Sequence, residues 1–130
     1  STPSCPSPVV LLVVEDDDFT RRLIGKMLDP LRFDVSYAED SKAALTSLRE
    51  IHPDLILMDI RLPGPGLDGL ALTRHLKAAP RRRSIPVIMM TGDARRETVM
   101  KSMQAGAASF VVKPFDREAL LARIQTTLRG

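Results

Sequence analysis

Apolar residues along this chain gather into short runs separated by stretches of helical spacing. Val9–Val14, Leu55–Met58, Pro86–Met90 and Phe110–Val112 are brief and rich in branched or long aliphatic residues, as expected of strands buried on both faces. Asp34–Tyr37 is a weaker candidate for a fifth strand. Between the runs, Leu23, Ile24, Met27 and Leu28 recur at helical spacing, as do Ala44, Leu45 and Leu48, and Leu72 and Leu76. Val99, Met100 and Met103 mark a fourth helical face, and Leu120, Ile124 and Leu128 a fifth. Asp40, Asp68 and Asp116 each stand just before such a pattern, where a short acceptor side chain can bind free backbone N–H groups. The alternation predicts an α/β fold of (βα)5 type, a doubly wound five-stranded parallel sheet with helices on both faces.

Composition narrows the setting. With 130 residues and 44% hydrophobic content, the chain has the size of one domain able to bury its own core. Ser1–Pro8 holds three prolines and three serines and reads as a linker or leader, so the domain is expected over residues 9–130. Cys5 has no partner cysteine, which fits a reducing, cytoplasmic setting. No apolar run is long enough to span a bilayer, and the leader has neither the basic nor the apolar part of a signal peptide. A net charge of +3 permits contact with nucleic acid. Yet the arginines are dispersed and aromatic residues scarce, so direct nucleic-acid binding is not expected. His52 and His75 read as surface residues, and Arg81–Arg83 as a solvated loop, binding of a phosphorylated second messenger being the lesser alternative.

In a doubly wound sheet ligands gather beyond the carboxyl ends of the strands. Glu15, Asp16, Asp17 and Asp18 follow the first run, Asp59 the third, Thr91 and Gly92 the fourth, and Lys113 and Pro114 the fifth. Glu15, Asp16 and Asp59 at one rim would repel one another without a hard cation, and an all-oxygen set suits Mg²⁺. A carboxylate beside Mg²⁺ can attack phosphorus if donors meet the phosphoryl oxygens, and Thr91 and Lys113 supply them. Asp17 and Asp18 fit a helix start better than a metal site.

These segments resemble the receiver domains of two-component response regulators. The resemblance rests on Leu-Leu-Val-Val-Glu-Asp-Asp (11–17), Pro-Asp-Leu-Ile-Leu-Met-Asp-Ile-Arg-Leu-Pro (53–63), Asp-Gly (68–69), Ile-Met-Met-Thr-Gly (88–92) and Gly-Ala-Ala-Ser-Phe-Val-Val-Lys-Pro-Phe (106–115). It implies a CheY-like, flavodoxin-like sheet of order 2-1-3-4-5 and a signalling switch that catalyses only its own phosphoryl transfer and dephosphorylation. Asp59 would be phosphorylated by the phosphohistidine of a sensor histidine kinase or histidine phosphotransfer protein. Asp16 would bind Mg²⁺ directly, Glu15 through water and Arg61 through its backbone carbonyl, while Thr91 and Lys113 hold the phosphoryl group. Phe110 matches the switch aromatic, with a plain core phenylalanine as the alternative, and Lys113–Pro114 the family's cis peptide. An output domain or effector would lie outside this chain.

Some features depart from that pattern. The loop after Asp59 is about two residues longer than usual, with Gly64, Pro65 and Gly66 expected to form its turn. Arg61 and Asp93 each lie two residues past a site residue, so an Arg61–Asp93 pair is expected to overhang the phosphoryl group and slow its hydrolysis. Ala108 and Ser109 replace acids found before the aromatic in members that dimerise through the fourth helix, fifth strand and fifth helix. That makes a homodimer of this kind less expected, although Arg117, Glu118 and Arg123 remain available.

Three other functions share parts of the pattern. Asp16-Asp17-Asp18-Phe19-Thr20, with Thr91 and Lys113, matches three motifs of haloacid-dehalogenase-like phosphatases, but only Asp116 and Glu118 remain for the further acid pair they need. An FMN binder would lack its hydroxyl-rich phosphate loop and place the phosphate among acids. A pseudo-receiver that folds alike without being phosphorylated is the third.

Overall fold

The computed structural model describes residues 7–130, so Cys5 and most of the Ser1–Pro8 leader lie outside the described residues. Five strands and five helices alternate: β1 (Val9–Val14), α1 (Asp18–Met27), β2 (Phe33–Ala38), α2 (Ser41–Glu50), β3 (Leu55–Asp59), α3 (Gly69–Ala78), β4 (Val87–Thr91), α4 (Arg96–Ala105), β5 (Ser109–Val112) and α5 (Arg117–Arg129). The strands form one parallel sheet of order β2-β1-β3-β4-β5. Order reverses between β1 and β3, so the loops beyond their carboxyl ends diverge and leave a crevice there.

The period-two alternation of the inner strands divides the core. Leu12, Val14, Ile56, Met58, Val87 and Met89 face one side, meeting Ala44 and Leu48 of α2 and Leu72 and Leu76 of α3. Leu11, Val13, Leu55, Leu57, Ile88, Met90 and Val111 face the other, meeting Ile24 of α1 and Leu120 and Ile124 of α5. Each fully buried leucine or isoleucine contributes roughly 1.5–3 kcal/mol of transfer free energy. Asp17, Asp40, Asp68 and Asp116 accept from the backbone N–H three residues on, capping α1, α2, α3 and α5. Helix α4 begins without a side-chain cap from Arg95 and ends at Gly106, whose φ of 107° suits a residue without Cβ.

Several expectations need correction. The weak strand is longer than expected, spanning Phe33–Ala38 in register with all of β1. Asp59 and Thr91 close their strands instead of following them, because the ladder continues through Asp59↔Met90 and Thr91↔Val112. Met100 and Met103 do not face the core; the buried side of α4 is Ser102 and Ala105, small enough for the helix to approach its neighbours closely. Leu23 and Leu128 are also exposed.

Candidate functional site

Glu15 follows β1, and its backbone N–H donates to the Ala38 carbonyl. This extends the sheet by one residue, leaving the Glu15 side chain 1% exposed. Asp59 ends β3 and is 7% exposed, while Asp16 is on the surface. One carboxylate oxygen from each of the three lies within 4.8 Å of the others. A Cβ on Gly69 would come within 2.0 Å of the Asp59 carbonyl oxygen, so only glycine lets α3 start this close behind the acid. Asp68 caps that helix, and the Asp68–Gly69 pair therefore fixes both the start of α3 and its distance from Asp59.

Lys113, the residue after β5, reaches the carboxylates. Its Nζ donates to Glu15 Oε1 at 2.5 Å and lies 3.3 Å from Asp59 Oδ2. The Lys113–Pro114 peptide is cis, as the resemblance implied. Burial raises the Glu15 carboxyl above its ordinary range, and Asp59 adds to the rise while Lys113 opposes it. Asp16 is also raised, by burial first and by Glu15 next. For Lys113 burial is the largest single influence and acts downward, but the combined pull of Glu15 and Asp59 leaves its ammonium above the ordinary lysine range.

The remaining anchors are backbone groups. Arg61 N–H donates to Asp59 Oδ1 at 3.0 Å, and Asp17 N–H donates to Glu15 Oε2 at 3.2 Å. Asp59, Arg61, Thr91, Gly92, Asp93 and Lys113 line one open cleft of about 350 Å³. Gly64 adopts a φ of 93° in the long loop after Asp59, and Ser41 Oγ holds the far side of that loop by accepting from Leu67 N–H at 2.9 Å. Ser41 was not anticipated as an anchor, because its contact spans 26 positions. Phe110 is half-buried against the α2–α3 side of the core, with the Arg123 guanidinium 5.6 Å from its ring centre.

The expected Arg61–Asp93 pair is not formed. Asp93 Oδ2 instead accepts from Arg95 at 2.8 Å and from Thr98 at 2.8 Å. A partner two residues away costs little chain entropy to recruit, whereas Arg61 would have to cross the cleft. The Thr91 hydroxyl is engaged within its own turn: it donates to the Asp93 carbonyl at 3.0 Å and accepts from the Asp93 N–H at 2.9 Å. The residues of this network lie close together in the chain, Thr91–Thr98, but their order does not show that Thr91 and Asp93 share a turn.

A cluster of hard oxygen ligands, one of them nearly sealed from water, beside a lysine at the switch point of a parallel sheet defines a receiver-type signalling module. The chain belongs to the response regulator receiver domain family, whose model matches residues 11–125. It is 37% identical over 119 residues to the phosphate regulon transcriptional regulatory protein PhoB of Escherichia coli, covering 92% of this chain and 51% of that protein. It is 34% identical to the DNA-binding response regulator MtrA of Mycolicibacterium smegmatis, again over 92% of this chain and 50% of the relative. The chain thus spans about half the length of these relatives. Among solved structures, it is similar to the receiver domain of sensor histidine kinase PA1611 from Pseudomonas aeruginosa, crystallised with magnesium coordinated in its active-site cleft. That match has a TM-score of 0.84 at 32% identity and covers 95% of this chain and all of the other. The NtrX receiver from Brucella abortus superposes with the same TM-score and identity, over 92% of this chain and 98% of that one. No helix among the described residues is long and apolar enough to cross a membrane.

Proposed function

We propose that Asp59 is the phosphoacceptor of this receiver and that its donor is a phosphohistidine on a sensor histidine kinase or histidine phosphotransfer protein. The observation that carries this reading is the placement of Asp59, almost buried yet lining the cleft, within reach of Lys113 and of the Glu15 and Asp16 carboxylates. An Asp59 carboxylate oxygen attacks phosphorus as the P–N bond breaks, and the electron pair leaves with the imidazole nitrogen. Glu15, Asp16 and Asp59 would hold Mg²⁺, with the Arg61 carbonyl as a further ligand, and their hard, crowded oxygens fit that ion. When bound, Mg²⁺ neutralises charge on the transferring phosphoryl group.

Around this chemistry the chain's own residues hold and read the product. The Arg61 N–H orients Asp59 through Oδ1. Lys113, released from Glu15, pairs with a phosphoryl oxygen, and Thr91 donates to another once it leaves Asp93. Movement of Thr91 opens space for Phe110 to turn inward and so alters the α4-β5-α5 face read by an output domain or effector, or by a second copy of the chain. We place this domain at residues 9–130 and its work in the cytoplasm.

Acetyl phosphate with Mg²⁺, followed by intact-mass measurement, tests the proposal. The wild-type chain is expected to gain one phosphoryl group and Asp59→Asn none, with the label absent when Mg²⁺ is chelated. Retention of the label by Asp59→Asn and its loss from Asp16→Asn would point instead to the phosphatase-like arrangement. An unlabelled wild type, under conditions that label other receivers, would mean a pseudo-receiver.

A further inference from the structure

The structure points to a latch that withholds Thr91 from the phosphoryl site. Both hydrogen bonds of the Thr91 hydroxyl go to the backbone of Asp93. Thr91 is 1% exposed, so its hydroxyl depends on these protein partners. To meet a phosphoryl oxygen the hydroxyl must give up both bonds, and the Asp93 backbone must yield. What holds that backbone is the Asp93 carboxylate. Its Oδ1 accepts from the Arg95 N–H at 2.9 Å and from Arg95 Nε at 3.0 Å. Its Oδ2 accepts from Arg95 Nε at 3.0 Å, Arg95 Nη2 at 2.8 Å and the Thr98 hydroxyl at 2.8 Å. Thr98 stands in the first turn of α4, the helix that lacks a side-chain cap on Arg95, so the same carboxylate joins the loop to the helix start.

We propose that Arg95 and Thr98 are positioning residues which, through Asp93, hold Thr91 in its unphosphorylated position and so set how readily the domain accepts and keeps a phosphoryl group. The proposal rests on the phosphoacceptor reading of Asp59. Neither residue touches the reacting atoms. Each contact favours the arrangement in which the Thr91 hydroxyl is occupied, and every bond to the Asp93 carboxylate that is removed shifts the balance toward the arrangement in which it is free. The fork of Arg95 is largely exposed, and its charge also attracts an anion in the cleft, so losing it has two opposed effects. The hydroxyl of Thr98 has no such second effect, which makes Thr98 the decisive position.

Two measurements test the latch separately from the phosphoacceptor reading. In metal-free protein, Thr98→Val is expected to speed hydrogen exchange of the Asp93 amide, which reads the latch without any phosphoryl group. With Mg²⁺ and beryllofluoride as phosphoryl mimic, Thr98→Val is expected to tighten binding by about threefold, the size of a modest population shift, and Arg95→Gln to act the same way at high salt. In a Thr91→Val background neither substitution should matter, because the hydroxyl that the latch restrains is gone. Unchanged or weaker mimic binding by Thr98→Val, or an equal gain in the Thr91→Val background, overturns the latch. A wild-type chain that takes up no beryllofluoride overturns the phosphoacceptor reading instead, and the latch with it.

Discussion

Two half-buried lysines stand at opposite ends of this sheet, and their surroundings push them in opposite directions. At the carboxyl rim Lys113 meets two carboxylates, and its ammonium is held more firmly than that of an ordinary lysine. At the other rim Lys77 donates to the backbone carbonyls of Arg83 at 3.1 Å and Ile85 at 2.6 Å, and burial lowers it. Its stem lies against Gly106, where a Cβ would come within 2.6 Å of Lys77 Cγ. Lys77 ties the α3–β4 and α4–β5 connections together with dipoles as partners, whereas Lys113 faces charges drawn from two other strand ends. The difference separates a lysine that supports the fold from one that stands ready for an anion. A positive group beside carboxylates that a metal can take over becomes free when the metal binds, but one satisfied by carbonyls has nothing to be released by.

The largest expected break in this comparison is chemical. Lys113→Met should slow phosphorylation by acetyl phosphate by about a hundredfold, the scale seen when one preorganised donor is removed from a charged transition state. Lys77→Ala should leave that rate within about twofold, since it sits at the far rim. In denaturant titrations Lys77→Ala is expected to lose about 1–2 kcal/mol, because the two carbonyls lose their donor and the stem no longer covers Gly106. Comparable rate losses for both variants would erase the distinction.

A smaller effect sharpens it. Observed by nitrogen NMR, Lys77 should release its proton below the ordinary lysine range and Lys113 above it. The stability consequences have opposite signs. Lys113, raised in the fold, contributes stability that is present below the unfolded lysine pKa and lost as pH rises through its raised value. Lys77, lowered in the fold, adds stability as pH rises through its depressed value, where the folded state sheds the proton first. Smallest is the response of Mg²⁺ affinity to acid. Glu15 and Asp16 hold protons more tightly than ordinary carboxylates, so affinity measured by calorimetry should begin to fall on acidification before ordinary carboxylates titrate. Affinity that stays flat on acidification would separate the acidic cluster from the metal.

The inner strands, their parallel arrangement and the Asp40, Asp68 and Asp116 caps are legible from the chain alone, because alternation and an acceptor three residues before its N–H are short-range relations, whereas the strand order came from the resemblance. The same reasoning failed at Met100 and Met103. Helical spacing marks a stripe without saying which of two neighbouring stripes turns inward, and close packing here favoured the small residues Ser102 and Ala105. Likewise, the gathering of Glu15, Asp16, Asp59, Thr91 and Lys113 at one rim followed from their positions after apolar runs. Their pairing did not.

Lys113, read as a phosphoryl ligand, rests here on Glu15, 98 positions away. The hydroxyl of Thr91, the residue read as a phosphoryl ligand, bonds the Asp93 backbone in this structure. Asp93 was expected to meet Arg61 but is held by Arg95 and Thr98. Which residues arrive at the switch point follows from the order of amino acids, since strand length and helix caps are set locally. Which charge and which hydroxyl each of them meets there depends on the folded packing. At the crowded end of a parallel sheet several partners lie within reach, and the choice falls to burial and to the chain entropy of closing each contact.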